Sequence, residues 1–154
     1  MKADDNISQL EEGEISYKII GLLYKVHNKL GPLQKEVYYQ RAIAKELSSN
    51  AIDFRQEYPV KVMYENNKVG EYRIDFLIDN KLILETKSAN RIHPQFINQV
   101  LSYLNQLQVR VGLIANFKKD KLWIKRVLLP RKYLLKSALH PLTSEKADRK
   151  VQIL

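Results

Sequence analysis

The 154-residue chain reads as an α/β protein, a mixed central β-sheet flanked by helices, with a helical pair at its N-terminus. Three observations predict that class. Apolar residues recur at helical spacing over 15–30 and 33–47. They alternate, or run together in short segments, between 54 and 88. A proline-opened helical segment at 94–107 then precedes a largely apolar run at 109–116. A helix between two late strands permits a parallel pair joined by a crossover, whereas closely connected strands pair antiparallel. Helices must then cover the sheet faces.

Ile15, Ile19, Leu22, Leu23, Val26 and Leu30 mark one face of the first helix, and Gly31-Pro32 stops it. Val37, Ile43, Ala44 and Leu47 mark the second, ended by Ser48, Ser49 and Asn50. Phe54, Val60, Val62 and Tyr64 suggest strand broken at Pro59, with a turn at 65–68. Strands at 69–78 and 81–88 flank Asp79-Asn80, and a last strand at 121–129 follows the turn Lys118-Lys119-Asp120. The expected organisation is an acidic N-terminal tail at 1–13, one domain at 14–136 and a C-terminal tail at 137–154.

Lys plus Arg total 26 against 17 Asp plus Glu, a net charge of +9. The excess is unevenly placed. Residues 1–14 set Lys2 against Asp4, Asp5, Glu11, Glu12 and Glu14. Residues 110–136 carry nine basic side chains against Asp120 alone, which suits a polyanionic partner, although a solvated surface explains it equally. With no cysteine, a disulfide scaffold, a thiolate-held metal and cysteine nucleophile chemistry are excluded. The polar, acidic start does not resemble a signal peptide, and no run approaches the ~20 apolar residues of a membrane span. A cytoplasmic protein is expected.

The informative segment is EYRIDFLIDNKLILETKS at 71–88. Tyr72, Ile74, Phe76 and Ile78 share one strand face; Glu71, Arg73, Asp75 and Leu77 share the other. Leu82, Leu84 and Thr86 alternate with Ile83, Glu85 and Lys87. If the apolar sets face the core together, a two-residue loop fails, because it puts Asp75 opposite Leu84. A three-residue loop at 79–81 pairs Ile78 with Leu82 and sets Asp75 opposite Glu85; that register is predicted. Two carboxylates and a lysine would then converge. They make an oxygen-rich site for a hard divalent cation, Mg2+ or Mn2+, with the Thr86 carbonyl as third protein ligand. Such an ion acidifies a water and offsets charge on a phosphodiester under attack, while Lys87 orients the water or stabilises the phosphorus centre. The competing reading is a surface salt bridge, since Asp…Glu-x-Lys spacings also arise by chance.

Asp75-x9-Glu85-Thr86-Lys87 resembles the core motif of the PD-(D/E)xK nuclease superfamily. LGPLQKEVYYQRAIAKEL, with Glu36 and Tyr39, resembles the N-terminal signature of its GxxExxY family. The likeness continues through Gln56 and Pro59 in FRQEYPVKVMY, then VGEYRIDFLID, LILETKSAN, Gln99 and Tyr103 in NQVLSYLNQL, and VGLIANF, covering about 15–128. Leu33 stands where the signature has its first Gly, and Ile74 where the motif's Pro would stand. The resemblance implies a restriction-endonuclease-like αβββαβ core. It also implies Asp75 and Glu85 as metal ligands, Lys87 as catalytic lysine, Glu36 as an additional helical carboxylate, and Gln99 with Tyr103 as a Q-x3-Y element. Arg73, Lys118, Lys119, Lys121, Lys125 and Arg126 are the expected nucleic-acid contacts.

Plainer readings stand beside these. Glu36 reads equally as an exposed helix residue, Gln99 as sheet support, and Tyr39 and Tyr103 as packing residues with bonded hydroxyls. His27 is read as surface or boundary, and Trp123 as core before base stacking. The expected function is a metal-dependent deoxyribonuclease, with DNA preferred, RNA kept open, no membrane role and room for a homodimer. The alternative is an inactive nuclease-fold module that binds nucleic acid or a protein partner.

Overall fold

Gly31 takes a left-handed backbone at φ 73 and its N–H bonds the His27 carbonyl at 2.8 Å, ending the first helix where Gly-Pro predicts. The computed structural model describes residues 2–135; the tail expected at 137–154, with Lys136 and His140, lies outside the described residues. The elements are α1 (Lys2–Leu30), α2 (Glu36–Ser49), β1 (Phe54–Tyr64), β2 (Asn67–Ile78), β3 (Leu82–Lys87), α3 (Pro94–Leu107), β4 (Val111–Asn116) and β5 (Trp123–Leu128). A 3-10 turn at Arg131–Tyr133 follows. The sheet order is β1-β2-β3-β4-β5; β3 and β4 are parallel, joined over α3, and the other pairs are antiparallel.

Two element boundaries depart from the sequence reading. The first helix begins at Lys2, thirteen residues before the apolar period does. What joins this acidic stretch to the body is charge: the Glu12 carboxylate lies 3.7 Å from Arg110 and 4.0 Å from Arg131, and Glu11 lies 3.9 Å from Lys81. Pro59 does not split β1, because β1 is an edge strand and a missing N–H there breaks no ladder bond.

Helices cover both sheet faces. Ile19, Leu23, Ile43 and Leu47 of α1 and α2 pack with Phe76, Ile78, Leu82, Leu84 and Leu113. Val100, Tyr103, Leu104 and Leu107 of α3 pack with Leu77, Ile83 and Ile114 on the other. All six residues of β4 are buried, as expected of a central strand covered twice. A Cβ on Gly112 would come within 2.7 Å of Val100 Cγ1, a stiff β-branched side chain. Gly112→Ala should therefore lower stability by roughly 1–3 kcal/mol, measured as a reduced denaturant midpoint.

The expected single core face of β2 is corrected. Phe76 and Ile78 join the α1/α2 layer, whereas Ile74, of the same parity, joins the α3 layer with Tyr58 and Val60. The change falls at Glu57 and Asp75. Gln56 pairs with Phe76 and Tyr58 with Ile74, but the intervening residues form no ladder pair, and Glu57 has a left-handed backbone at φ 48. An irregularity that twists a hairpin redirects its side chains.

Candidate active site

The β2–β3 hairpin closes through Asp79 and Asn80, both at positive φ (52 and 53), with Ile78 opposite Leu82 and Phe76 opposite Leu84. That is the register the apolar parity predicts. Beyond Phe76 and Leu84, side chains take over from the ladder. The Asp75 N–H donates to Glu85 Oε1 at 3.0 Å, and the Thr86 N–H donates to Asp75 Oδ2 at 2.8 Å. The Thr86 hydroxyl donates to the same Oδ2 at 3.0 Å. Each acid is thus held by the other strand's main chain, which fixes their orientation where the strands part.

The electrostatics tie three further side chains to this pair, from α2, α3 and β3. Glu85 is 7% exposed; burial first, then the Asp75 charge, pushes its carboxyl up to about 8, against a weaker opposing pull from the Asp75 N–H and Lys87. Glu36, the first residue of α2, is also raised, by burial and then by Asp75, while Lys87 and the Ser88 N–H oppose the shift. The buried Tyr103 phenol is raised by burial and then by Glu85. Its ring lies 5.2 Å from that of Tyr72. Glu36, Tyr103 and Lys87 therefore surround the pair, and the plain surface reading of Glu36 gives way to a partly buried one.

Lys87 is half-buried, its Nζ 4.2 Å from the centroid of the Phe96 ring. Gln99 stands one turn before Tyr103 on α3 but is exposed, and no hydrogen bond links it to the acids among the described residues. The basic residues divide by position. Lys87 lies opposite Asn116 in the parallel register, and the Phe117 N–H bonds the Lys87 carbonyl at 2.9 Å. Exposed Lys118, Lys119 and Lys121 thus follow directly at the site's end of the sheet. Arg73 is exposed two residues before Asp75, and Lys125 and Arg126 lie farther off along the edge strand β5, opposite Ile114 and Leu113.

Two aromatic readings are corrected. His27 is buried at 4% exposure: its Nε2 pairs with the Lys119 carbonyl at 2.9 Å and its ring lies 6.0 Å from Phe117, so it anchors the basic turn. Trp123, expected in the core, is 42% exposed because β5 is an edge. Tyr39 is the packing residue of its plainer reading, stacked 4.4 Å from Phe117 with its hydroxyl bonded to the Gly31 carbonyl. Gln40 was not foreseen. Its Nε2 donates to Thr86 Oγ1 at 2.9 Å; the signal was its position four residues after Glu36, on the same helix face. Asn116 was also missed. Its buried amide brackets Ala89, accepting from the N–H at 3.1 Å and donating to the carbonyl at 2.8 Å, which ties the exit of β3 to β4.

A mixed five-stranded sheet between helices, with an acid pair and a lysine where its central hairpin opens, has the restriction-endonuclease-like architecture. The chain belongs to the PD-(D/E)XK nuclease superfamily, whose family model matches residues 13–127. The match is to the superfamily, so the GxxExxY likeness stands on its motifs alone. The crystal structure of SSO0001 aligns at 13% identity and a TM-score of 0.48, covering 74% of this chain and 56% of that one. The chain thus spans little more than half the length of that protein. No curated protein matches it. Among the described residues no helix is long and apolar enough to cross a membrane.

Proposed function

We propose that the chain is a metal-dependent nuclease that hydrolyses phosphodiester bonds in DNA. The observation carrying this reading is the mutual clamp of Asp75 and Glu85 across the opening hairpin, with Lys87 beside it. Among the described residues no three His, Cys, Asp or Glu side chains gather as a full metal cage. The donor set nevertheless fits Mg2+ or Mn2+, which are held by one or two carboxylates and otherwise keep waters and phosphate oxygens. Asp75, Glu85 and the Thr86 carbonyl would hold the ion, and the Glu85 carboxyl, raised first by burial and then by the Asp75 charge, is one whose ionised form a bound cation would favour. When bound, a divalent cation offsets phosphate charge and acidifies a water.

The chain's own groups supply the rest. Lys87 Nζ donates hydrogen bonds to a non-bridging phosphate oxygen or to the attacking water, and its nearness to Phe96 limits its freedom. The Glu36 carboxyl, raised but exposed on one side, takes a proton from that water. Buried Tyr103 walls one flank beside Glu85, with the exposed Tyr72 ring 5.2 Å from its own. Lys118, Lys119 and Lys121 hold the nucleic-acid backbone. Water is the nucleophile, so no covalent intermediate with the chain is needed.

The test uses labelled single- and double-stranded DNA with Mg2+ or Mn2+. Wild-type protein should cleave, EDTA should stop it, and Lys87→Ala should lose about 10²–10³-fold in rate. Binding without cleavage in either metal would favour an inactive module. Combined Lys118→Ala, Lys119→Ala and Lys121→Ala substitutions should weaken binding to all sequences alike. They should also flatten its salt dependence, by about one unit of slope for each phosphate-neutralising side chain removed.

A further inference from the structure

Between α2 and β1 lies an open cavity of about 290 Å3, lined by Val37, Gln40, Arg41, Gln56 and Glu57. None of the groups assigned above to the cation or the proton lines it. One hydrogen-bonded route connects it to the acid pair. Gln40, in its wall, donates to the Thr86 hydroxyl at 2.9 Å, and that hydroxyl donates to Asp75 Oδ2 at 3.0 Å. Glu57, also in the wall, stands between Gln56 and Tyr58, whose β2 partners Phe76 and Ile74 flank Asp75, and its backbone lies in the left-handed region. A non-glycine residue is held there against its steric preference, and such positions cluster at ligand sites.

The lining states what would fit. The volume sits near the lower end of small-molecule pockets, the scale of one flat heterocycle. Gln40 and Gln56 each carry an amide, with both donor and acceptor atoms; Glu57 only accepts, Arg41 only donates, and Val37 offers apolar contact. An anion would meet Glu57, so a phosphate is poorly matched. A nucleobase edge is well matched, because it presents donors and acceptors together and a carboxylate accepts from an exocyclic amino group. The Arg41 guanidinium, 5.8 Å from the centroid of the Tyr38 ring, adds a planar cation on which a base can stack.

We propose that this cavity is a nucleobase subsite, taking a base with an exocyclic amino group from a nucleotide adjacent to the phosphate at Asp75 and Glu85. The adjacency rests on the nuclease reading; base binding does not require cleavage. Gln56 and Glu57 are its specificity-determining residues, and Gln40 links its occupancy to the orientation of Thr86 and Asp75.

The test measures fluorescence anisotropy of labelled single strands of deoxycytidine, deoxyadenosine or thymidine with the full chain in EDTA. The two amino-bearing strands should bind at least about fivefold more tightly than the thymidine strand, the lower range for one base contact. That ratio should approach one in Glu57→Gln and in Gln56→Ala. Because it compares strands on one preparation, a fraction of inactive protein leaves the ratio unchanged, and an unaltered thymidine-strand affinity in each variant shows that the fold is kept. Equal wild-type affinities, or a ratio that survives both substitutions, overturns the subsite. The same strands incubated with Mn2+ separate the two ideas. Discriminating binding without cleavage sinks the nuclease reading and keeps the subsite, whereas cleavage without discrimination does the reverse.

Discussion

Glu85→Gln should remove nearly all cleavage while making the metal-free chain more stable. Both effects have one origin. The Glu85 side chain is buried, and its carboxyl is pushed up to about 8, first by burial and then by Asp75, so its ionised form is the disfavoured one. The amide keeps an Oε1 that can accept the Asp75 N–H at 3.0 Å, and it removes the buried negative charge. Above pH 8 the variant should exceed the wild type by of order 1–3 kcal/mol in denaturant unfolding. A cation would meanwhile lose one of two carboxylates, and the rate should fall by about 10²–10³-fold or more. Lys87→Ala is the contrast: it also slows cleavage, but it removes a compensating positive charge, so its stability should drop. A Glu85→Gln protein that cleaves at the wild-type rate would take Glu85 out of the mechanism.

Gain in stability with loss of activity is what distinguishes a functional site from structural bonding. Asp75 and Glu85 do contribute to the fold, since each accepts a main-chain N–H that the β2–β3 ladder has abandoned. Neutral oxygens could do the same. Ordinary folding needs give no reason to gather Glu36, Asp75 and Glu85 so closely that the Asp75 charge raises the proton affinity of the other two.

The acid pair was legible in the sequence because parity leaves little choice. Leu82 and Leu84 can share a layer with Phe76 and Ile78 only across a three-residue connection, and that register sets position 75 against 85. The crossover was equally legible, since Pro94 opens a helix between two apolar strands. What escaped notice has no periodic signature. Glu57 is not a residue type that announces a positive φ, so the transfer of Ile74 to the α3 layer could not be read from alternation. His27 is buried because its ring nitrogen meets the Lys119 carbonyl, 92 residues away in sequence. The first half of α1 is joined to the body by Glu12 with Arg110 and Arg131, ion pairs that apolar spacing does not reveal. Gln40 became visible only once Thr86 was placed beside it.

Stability of the metal-free chain should fall as pH rises from about 5 to about 8, and a divalent cation should restore it. The folded Glu85 carboxyl titrates near 8, against 4.5 when unperturbed, and Glu36 is shifted in the same direction. Between those limits the folded chain binds more protons than the unfolded chain, so unfolding free energy decreases with pH. At about 1.4 kcal/mol per unit, Glu85 alone sets an upper bound of a few kcal/mol. Glu46 and Glu71 have the opposite sign, lowered by Lys25 and Lys68, but their contribution is present above the ordinary carboxylate range and lost only in acid. Asp75, Glu36, Lys87 and Tyr103 are the ionisable groups coupled to Glu85 from β2, α2, β3 and α3. A cation that takes the place of the Glu85 proton must release it, so affinity should rise up to about tenfold per pH unit in this window and level off above 8. Titration calorimetry in buffers of differing ionisation enthalpy reads that proton directly. Proton release that vanishes in Glu85→Gln assigns the ion to this carboxylate; affinity flat from pH 5 to 8 in the wild type would put the cation elsewhere.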